Sequence, residues 1–193
     1  MTNPTQTVPK RPRRADAQRN YDRLVAVARA ATEKLGDQIS LEDVARQANL
    51  AIGTLYNHFP TRQELLAATF IDETDELRQL AEGLIEQPAS FEALREWLRL
   101  QLQYSARGRS LGATVMSWKH VEGSDMQHAF QSMRDAGEQL LRRAKDERQV
   151  RLDVELIDVL RLIWGIELIT KDAAVPVERL QAMFDIVIAG LRN

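Results

Sequence analysis

Apolar residues recur along this chain at intervals of three and four, the period of one helix face, and no convincing run alternates with period two. Leu24, Val27, Ala28 and Ala31 form a first stripe, and Gly36 is placed to stop it. Leu41, Val44, Ala45 and Ala48 form a second, with Ser40 at the N-cap position and Asp43 three residues on. Leu55 and Phe59 anchor a third, very short element closed by Pro60. Thr61 followed by Glu64 has capping-box spacing and opens a long helix that carries to about Glu86, before Pro88. Further helices are predicted over about 91–107, 111–121, 124–148, 153–171 and 177–191, with Gly108, Gly123, the stretch 148–151 and Pro176 near their boundaries. The fold class that follows is all-α.

The segment from Ser40 to Leu66, SLEDVARQANLAIGTLYNHFPTRQELL, carries the most information. Two short helices joined by a tight turn suit a helix-turn-helix. Ala45 is small enough for a close helix crossing, and Asn49 tolerates a left-handed backbone in the turn. Leu50 and Leu55 would pin the second helix to the core. Ala51, Gly53, Thr54, Asn57 and His58 are then left on or beside the outward face, small or hydrogen-bonding groups that can enter a major groove and read base edges.

Composition changes this picture little, but charge sharpens it. The 193 residues are 44% hydrophobic and 28% charged, which suits a globular protein, and no apolar run is long enough to span a membrane. The N-terminus is polar and lacks a signal-peptide core, so a cytoplasmic location is expected. Cysteine is absent, which excludes disulfides, thiolate nucleophiles and cysteine-ligated zinc. Up to Leu65 there are ten Lys and Arg against seven Asp and Glu, and after it sixteen against twenty-one. Five of those basic residues precede position 20, in KRPRRADAQR. A basic head on an acidic body suggests that the head meets a polyanion. Pro4, Pro9 and Pro12 and the scarcity of apolar residues predict a disordered arm, for which a minor-groove role assigns no base to Arg13 or Arg14.

The stretch from about Arg19 to Phe70 resembles the N-terminal DNA-binding domain of the TetR family of transcriptional repressors. The Gly53-Thr54-Leu55-Tyr56-Asn57-His58-Phe59 block, followed by Arg62 and Glu64-Leu65, carries the resemblance. The C-terminal LRLIWGIELI and IVIAGLRN resemble one branch of that family more loosely. Asn49 stands where the family usually has Gly, and Arg62 where it usually has Lys, a change that keeps the phosphate-binding charge. The resemblance implies that Tyr56, His58 and Arg62 contact phosphates, that Thr54 and Asn57 face the bases beside Ala51, and that Gly53 lets the backbone approach. Ser40 and Leu41 would lie by a phosphate at a helix start. For Ile52 two readings stand, inward with Leu55 or in the groove against a thymine methyl. His58 also has two, a phosphate contact or a cation at a helix C-terminus. Tyr56 has a packed ring with an outward hydroxyl, and Phe59 has a core reading.

The resemblance divides the chain into a basic arm over 1–18, a DNA-binding domain over 19–62 and an effector-binding and dimerisation domain over 63–193. The two last helices are apolar on most sides, and such helices need cover on both faces. One face packs within the protomer and the other against a second copy, giving a homodimer with Ile163, Trp164, Phe184, Val187 and Ile188 at its interface and Gly165 permitting close approach. Trp97, Tyr104, Met116, Trp118, Met126, Phe130 and Met133 are the candidate lining of a small-molecule effector pocket, near His120 and His128; ordinary core packing is the competing reading. The partners expected are a palindromic double-stranded DNA operator, an effector and a second copy, with no membrane. The expected function is repression released by the effector; an activator of the same fold has the same pattern.

An enzyme on a helical bundle is the rival class. Three His and no Cys offer no H-E-x-x-H, and no phosphate-cradling glycine loop occurs. Asp125 and His128 have D-x-x-H spacing, but di-iron bundles need paired motifs and no second one exists. No catalytic residue, cofactor or metal site is therefore expected.

Overall fold

The computed structural model describes residues 15–36, 38–107, 125–170 and 175–193. Eight helices occur among them: α1 (Ala15–Leu35), α2 (Leu41–Gln47), α3 (Ile52–His58), α4 (Arg62–Leu84), α5 (Ser90–Arg107), α6 (Asp125–Asp146), α7 (Leu156–Thr170) and α8 (Val177–Leu191). The described residues contain no strand, only an isolated bridge between Val150 and Arg192. The fold is all-α, as the periodicity predicts. Residues 1–14 of the basic arm, including Arg13 and Arg14, lie outside the described residues, as does the helix expected over 111–121. Helix α1 begins at Ala15, so residues 15–18, given to the arm by sequence, are helical. No described helix is long and apolar enough to cross a membrane.

The chain divides into two compact units, with boundaries after Asp72 and after His128. The first unit is built on Tyr21, Leu24, Val25 and Ala28 of α1, Val44 and Ala45 of α2, Leu55 of α3, and Leu65 to Ala68 of α4. Ile39, Ala48, Phe59 and Met126 also belong to this core.

The second unit buries Leu77, Ala81 and Leu84 of α4 with apolar residues of α5 to α8. Helix α7 packs against both α5 and α8. Trp97 of α5 is fully buried, and its Nε1–H donates to the Leu77 carbonyl at 2.8 Å. The ring lies over Gly137 of α6, where a Cβ would come within 2.9 Å of the ring atoms Cη2, Cζ3 and Cζ2. Arg143 of α6 donates to the carbonyl of Ile85, just past the C-terminal end of α4, and, at 3.2 Å, to that of Pro88 in the segment leading to α5. Helix α6 itself stops where Arg148 turns left-handed at φ 59°, with the N–H groups of Gln149 and Val150 both donating to the Ala144 carbonyl. The end of α8 is fastened to this stop: Arg151 N–H donates to the Leu191 carbonyl at 3.0 Å, and Asn193 Nδ2–H to that of Arg148 at 2.9 Å.

Candidate nucleic-acid interface

The helix-turn-helix is assembled by local hydrogen bonds that its residue types dictate. Ser40 is extended, and its Oγ accepts the Asp43 N–H at 3.2 Å, capping α2. The Ser40 hydroxyl also donates to Glu42 at 3.1 Å, so the side chain is committed to the cap. Asn49 adopts φ 53°, the left-handed turn its sequence position requires. Leu50 N–H then donates to the Ala45 carbonyl at 2.9 Å, which binds the turn back onto α2. Phe59 N–H donates to the Leu55 carbonyl at 2.7 Å and ends α3. Beyond it, Thr61 N–H donates to Glu64 at 3.0 Å and Glu64 N–H to Thr61 Oγ1 at 3.2 Å, a complete capping box.

Helix α3 is two-sided. Leu55 and the adjoining Phe59 are fully buried. Ile52 is 39% exposed and Tyr56 44%, and Ala51, Gly53 and Asn57 are exposed beside them. Positions 52 and 56, and 53 and 57, are neighbours on the helix surface. One continuous face therefore presents an apolar tip, a phenol, an amide and two small residues. Of the two readings of Ile52, the outward one matches its placement. Thr54, His58, Arg62, Ser40 and Leu41 are half-buried. The His58 ring meets Tyr21 edge-on at 6.3 Å and Phe59 at 6.2 Å. Burial lowers its pKa below the ordinary 6.5.

The residues expected in the C-terminal region do not all come together. Met126 belongs to the core of the first unit, not the second. Trp97 and Met133 are buried in the second core. Tyr104 donates through its hydroxyl to Glu76 at 2.7 Å, and Phe130 meets Trp164 at 5.9 Å. Met116, Trp118 and His120 lie outside the described residues. Of the expected interface set, Ile163, Phe184 and Ile188 are buried inside the protomer, while Trp164 and Val187 are half-buried against that core. Among the described side chains of α7 and α8, the large apolar ones exposed are Leu162, at 57%, and Ile186, at 72%, which the sequence does not single out. Helices apolar on all sides hold no polar stripe from which the covered face could be phased. Among the described residues no group of His, Asp and Glu could hold a metal ion.

Comparison with known proteins finds a match for each end of the chain. A family model described as the C-terminal domain of SbtR-like transcriptional regulators matches residues 89–193, and the model of bacterial regulatory proteins of the tetR family matches residues 24–69. No curated protein matches the chain. A TetR transcriptional regulator from Streptomyces coelicolor is 29% identical, with a TM-score of 0.68 over 89% of this chain and 98% of that one. A TetR regulatory protein from Mycobacterium vanbaalenii is 26% identical, with a TM-score of 0.65 over 94% of this chain and 100% of that one. A TetR-family regulator from Agrobacterium tumefaciens shares the fold at a TM-score of 0.69 over 92% of this chain and 100% of that one, with 14% identity. With both of its regions matched in this way, the chain belongs to the TetR family of DNA-binding transcriptional regulators.

Proposed function

We propose that α3 enters the major groove and reads base edges through Thr54 and Asn57, with Ile52 against a thymine methyl. Tyr56, His58, Arg62 and the start of α2 at Ser40 and Leu41 meet the flanking phosphates. The protein acts as a homodimeric repressor on a palindromic operator. The observation that carries the reading is the exposed face of α3, held outward by the burial of Leu55 and Phe59. Duplexes enriched from a random pool by the purified protein test it: a palindrome supports the reading, and the absence of any enriched motif opposes it.

Gly53 supplies an independent test of close approach. A Cβ there would meet nothing within 4 Å, so the fold does not need this glycine. Gly53→Ala should stabilise the free protein by up to about 1 kcal/mol, because alanine leaves the unfolded chain fewer conformations than glycine. Operator affinity should nevertheless fall, since the added methyl lies between backbone and DNA. A variant that melts higher and binds as well as wild type would remove Gly53 from the contact surface.

Dimerisation is assigned to the exposed apolar side chains of the last two helices. Leu162 and Ile186 replace Ile163, Phe184 and Ile188 as the residues to probe, because the latter are buried in the protomer core. Ile186→Asp or Leu162→Asp should strand a charge in an apolar interface and lower the mass measured by light scattering. A monodisperse dimer in both variants would place the interface elsewhere.

A small, largely apolar effector is assigned to the second unit, around Tyr104, Phe130 and Trp164, and α4, which contributes residues to both cores, is the element through which it acts. An effector shifts the DNA-competent population only by its differential affinity for the two states, typically about 1–3 kcal/mol. Compounds that raise the melting temperature yet never change operator binding would oppose this role.

A further inference from the structure

Arg23 lies on α1, outside the segment to which DNA reading is assigned. Its guanidinium Nη2–H donates to the main-chain carbonyl of Ala48, its hydrogen-bond partner among the described residues. Ala48 caps the C-terminus of α2, where helical carbonyls lack partners within the helix. The neighbouring carbonyls are already used: that of Ala45 accepts from Leu50 at 2.9 Å, and that of Arg46 from Asn49 at 3.0 Å. The Ala48 carbonyl directly precedes Asn49, whose φ of 53° swings the chain into α3. A cation at this point also faces the negative end of the α2 dipole.

We infer that Arg23 is a positioning residue for DNA reading. It fixes the turn, and with it the angle at which α3 is presented, and it touches neither base nor phosphate. The inference rests on the assignment of reading to α3. Without the guanidinium the turn samples conformations that hold α3 wrongly, and apparent affinity falls by the fraction of time the competent one is lost. Because the side chain itself is exposed, its loss leaves the apolar core of the unit intact.

The test uses full-length Arg23→Ala and Arg23→Lys with the enriched operator, its single-base variants and several salt concentrations, well below the melting temperature. Arg23→Ala should weaken binding by roughly tenfold per half-site, or about a hundredfold for the dimer, on every variant alike, the size expected for loss of a charge-assisted hydrogen bond in each protomer. Base preference and salt slope should not change, and hydrogen exchange at the Leu50 amide should quicken. Arg23→Lys, which can still reach the carbonyl with a cation, should recover most of the affinity. A salt slope lowered by about two per dimer would make Arg23 a phosphate contact and overturn the inference. So would a changed base preference, or unchanged affinity with a lower melting temperature. Asn57→Ala, run beside these, separates the failures. If it alters base preference while Arg23→Ala has no effect, only the positioning role falls. If it leaves base preference unchanged, the assignment of reading to α3 falls first.

Discussion

Replacing Gly137 with Ala should destabilise the protein by roughly 1–5 kcal/mol, a large share of the ~5–15 kcal/mol that holds a typical domain folded. An alanine would ordinarily strengthen a helix interior by about 0.5–1 kcal/mol. Here its Cβ would come within 2.9 Å of three atoms of the Trp97 ring, and neither α6 backbone nor a fully buried indole can yield cheaply. Forcing the ring aside overpacks the core, which costs about 1–3 kcal/mol. It also breaks the indole bond to the Leu77 carbonyl and leaves buried polar groups unmatched, for about 1–3 kcal/mol more. Urea unfolding followed by tryptophan fluorescence reads the change. A midpoint raised instead, as for an open helical glycine, would show that Trp97 does not fill the space over Gly137.

Asn57→Ala should leave stability within about 0.5 kcal/mol, because the side chain is exposed and supports no packing. Its effect belongs to binding. An amide can pair bidentately with adenine, and losing such a pair costs about 1–3 kcal/mol. A dimer loses it at both half-sites, so operator affinity should fall by roughly thirtyfold at the lower bound. Operators mutated at the base read by Asn57 should lose their disadvantage against the variant. Affinity within twofold of wild type on the enriched operator would take Asn57 out of the interface.

Sequence carried the local structure far. The Thr61–Glu64 box forms both its bonds, and Asn49 takes the positive φ its place in the turn demands. Val177–Leu191 is the expected last helix to the residue. Each of these depends on neighbours within a few positions, where residue type decides. Contacts across long separations were not legible in the same way. Met126, Phe130 and Met133 share one helical face by spacing, yet Met126 enters the core of one unit and Met133 that of the other. Periodicity identifies a face but not what covers it. Trp97 over Gly137, and Arg23 on the Ala48 carbonyl, join residues whose pairing no local pattern encodes. The start of α7 shows a smaller miss. It was expected from Asp153, but Arg151 and Asp153 pair across a turn at 2.5 Å, and the helix begins at Leu156.

As proposed above, the outward face of α3 reads bases while Arg62, at the start of α4, meets a phosphate. One measurement separates those roles: binding of wild type, Asn57→Ala and Arg62→Ala to every single-base variant of the operator across a range of salt concentrations. Asn57→Ala should flatten preference at one base position in each half-site and leave the salt slope unchanged. Arg62→Ala should keep every base preference, weaken all sequences alike and reduce the slope by about one per contact, or about two per dimer. If Asn57→Ala instead weakens all sequences uniformly, and Arg62→Ala leaves the salt dependence untouched, α3 does not read DNA in the manner argued and the interface lies on another face of the first unit.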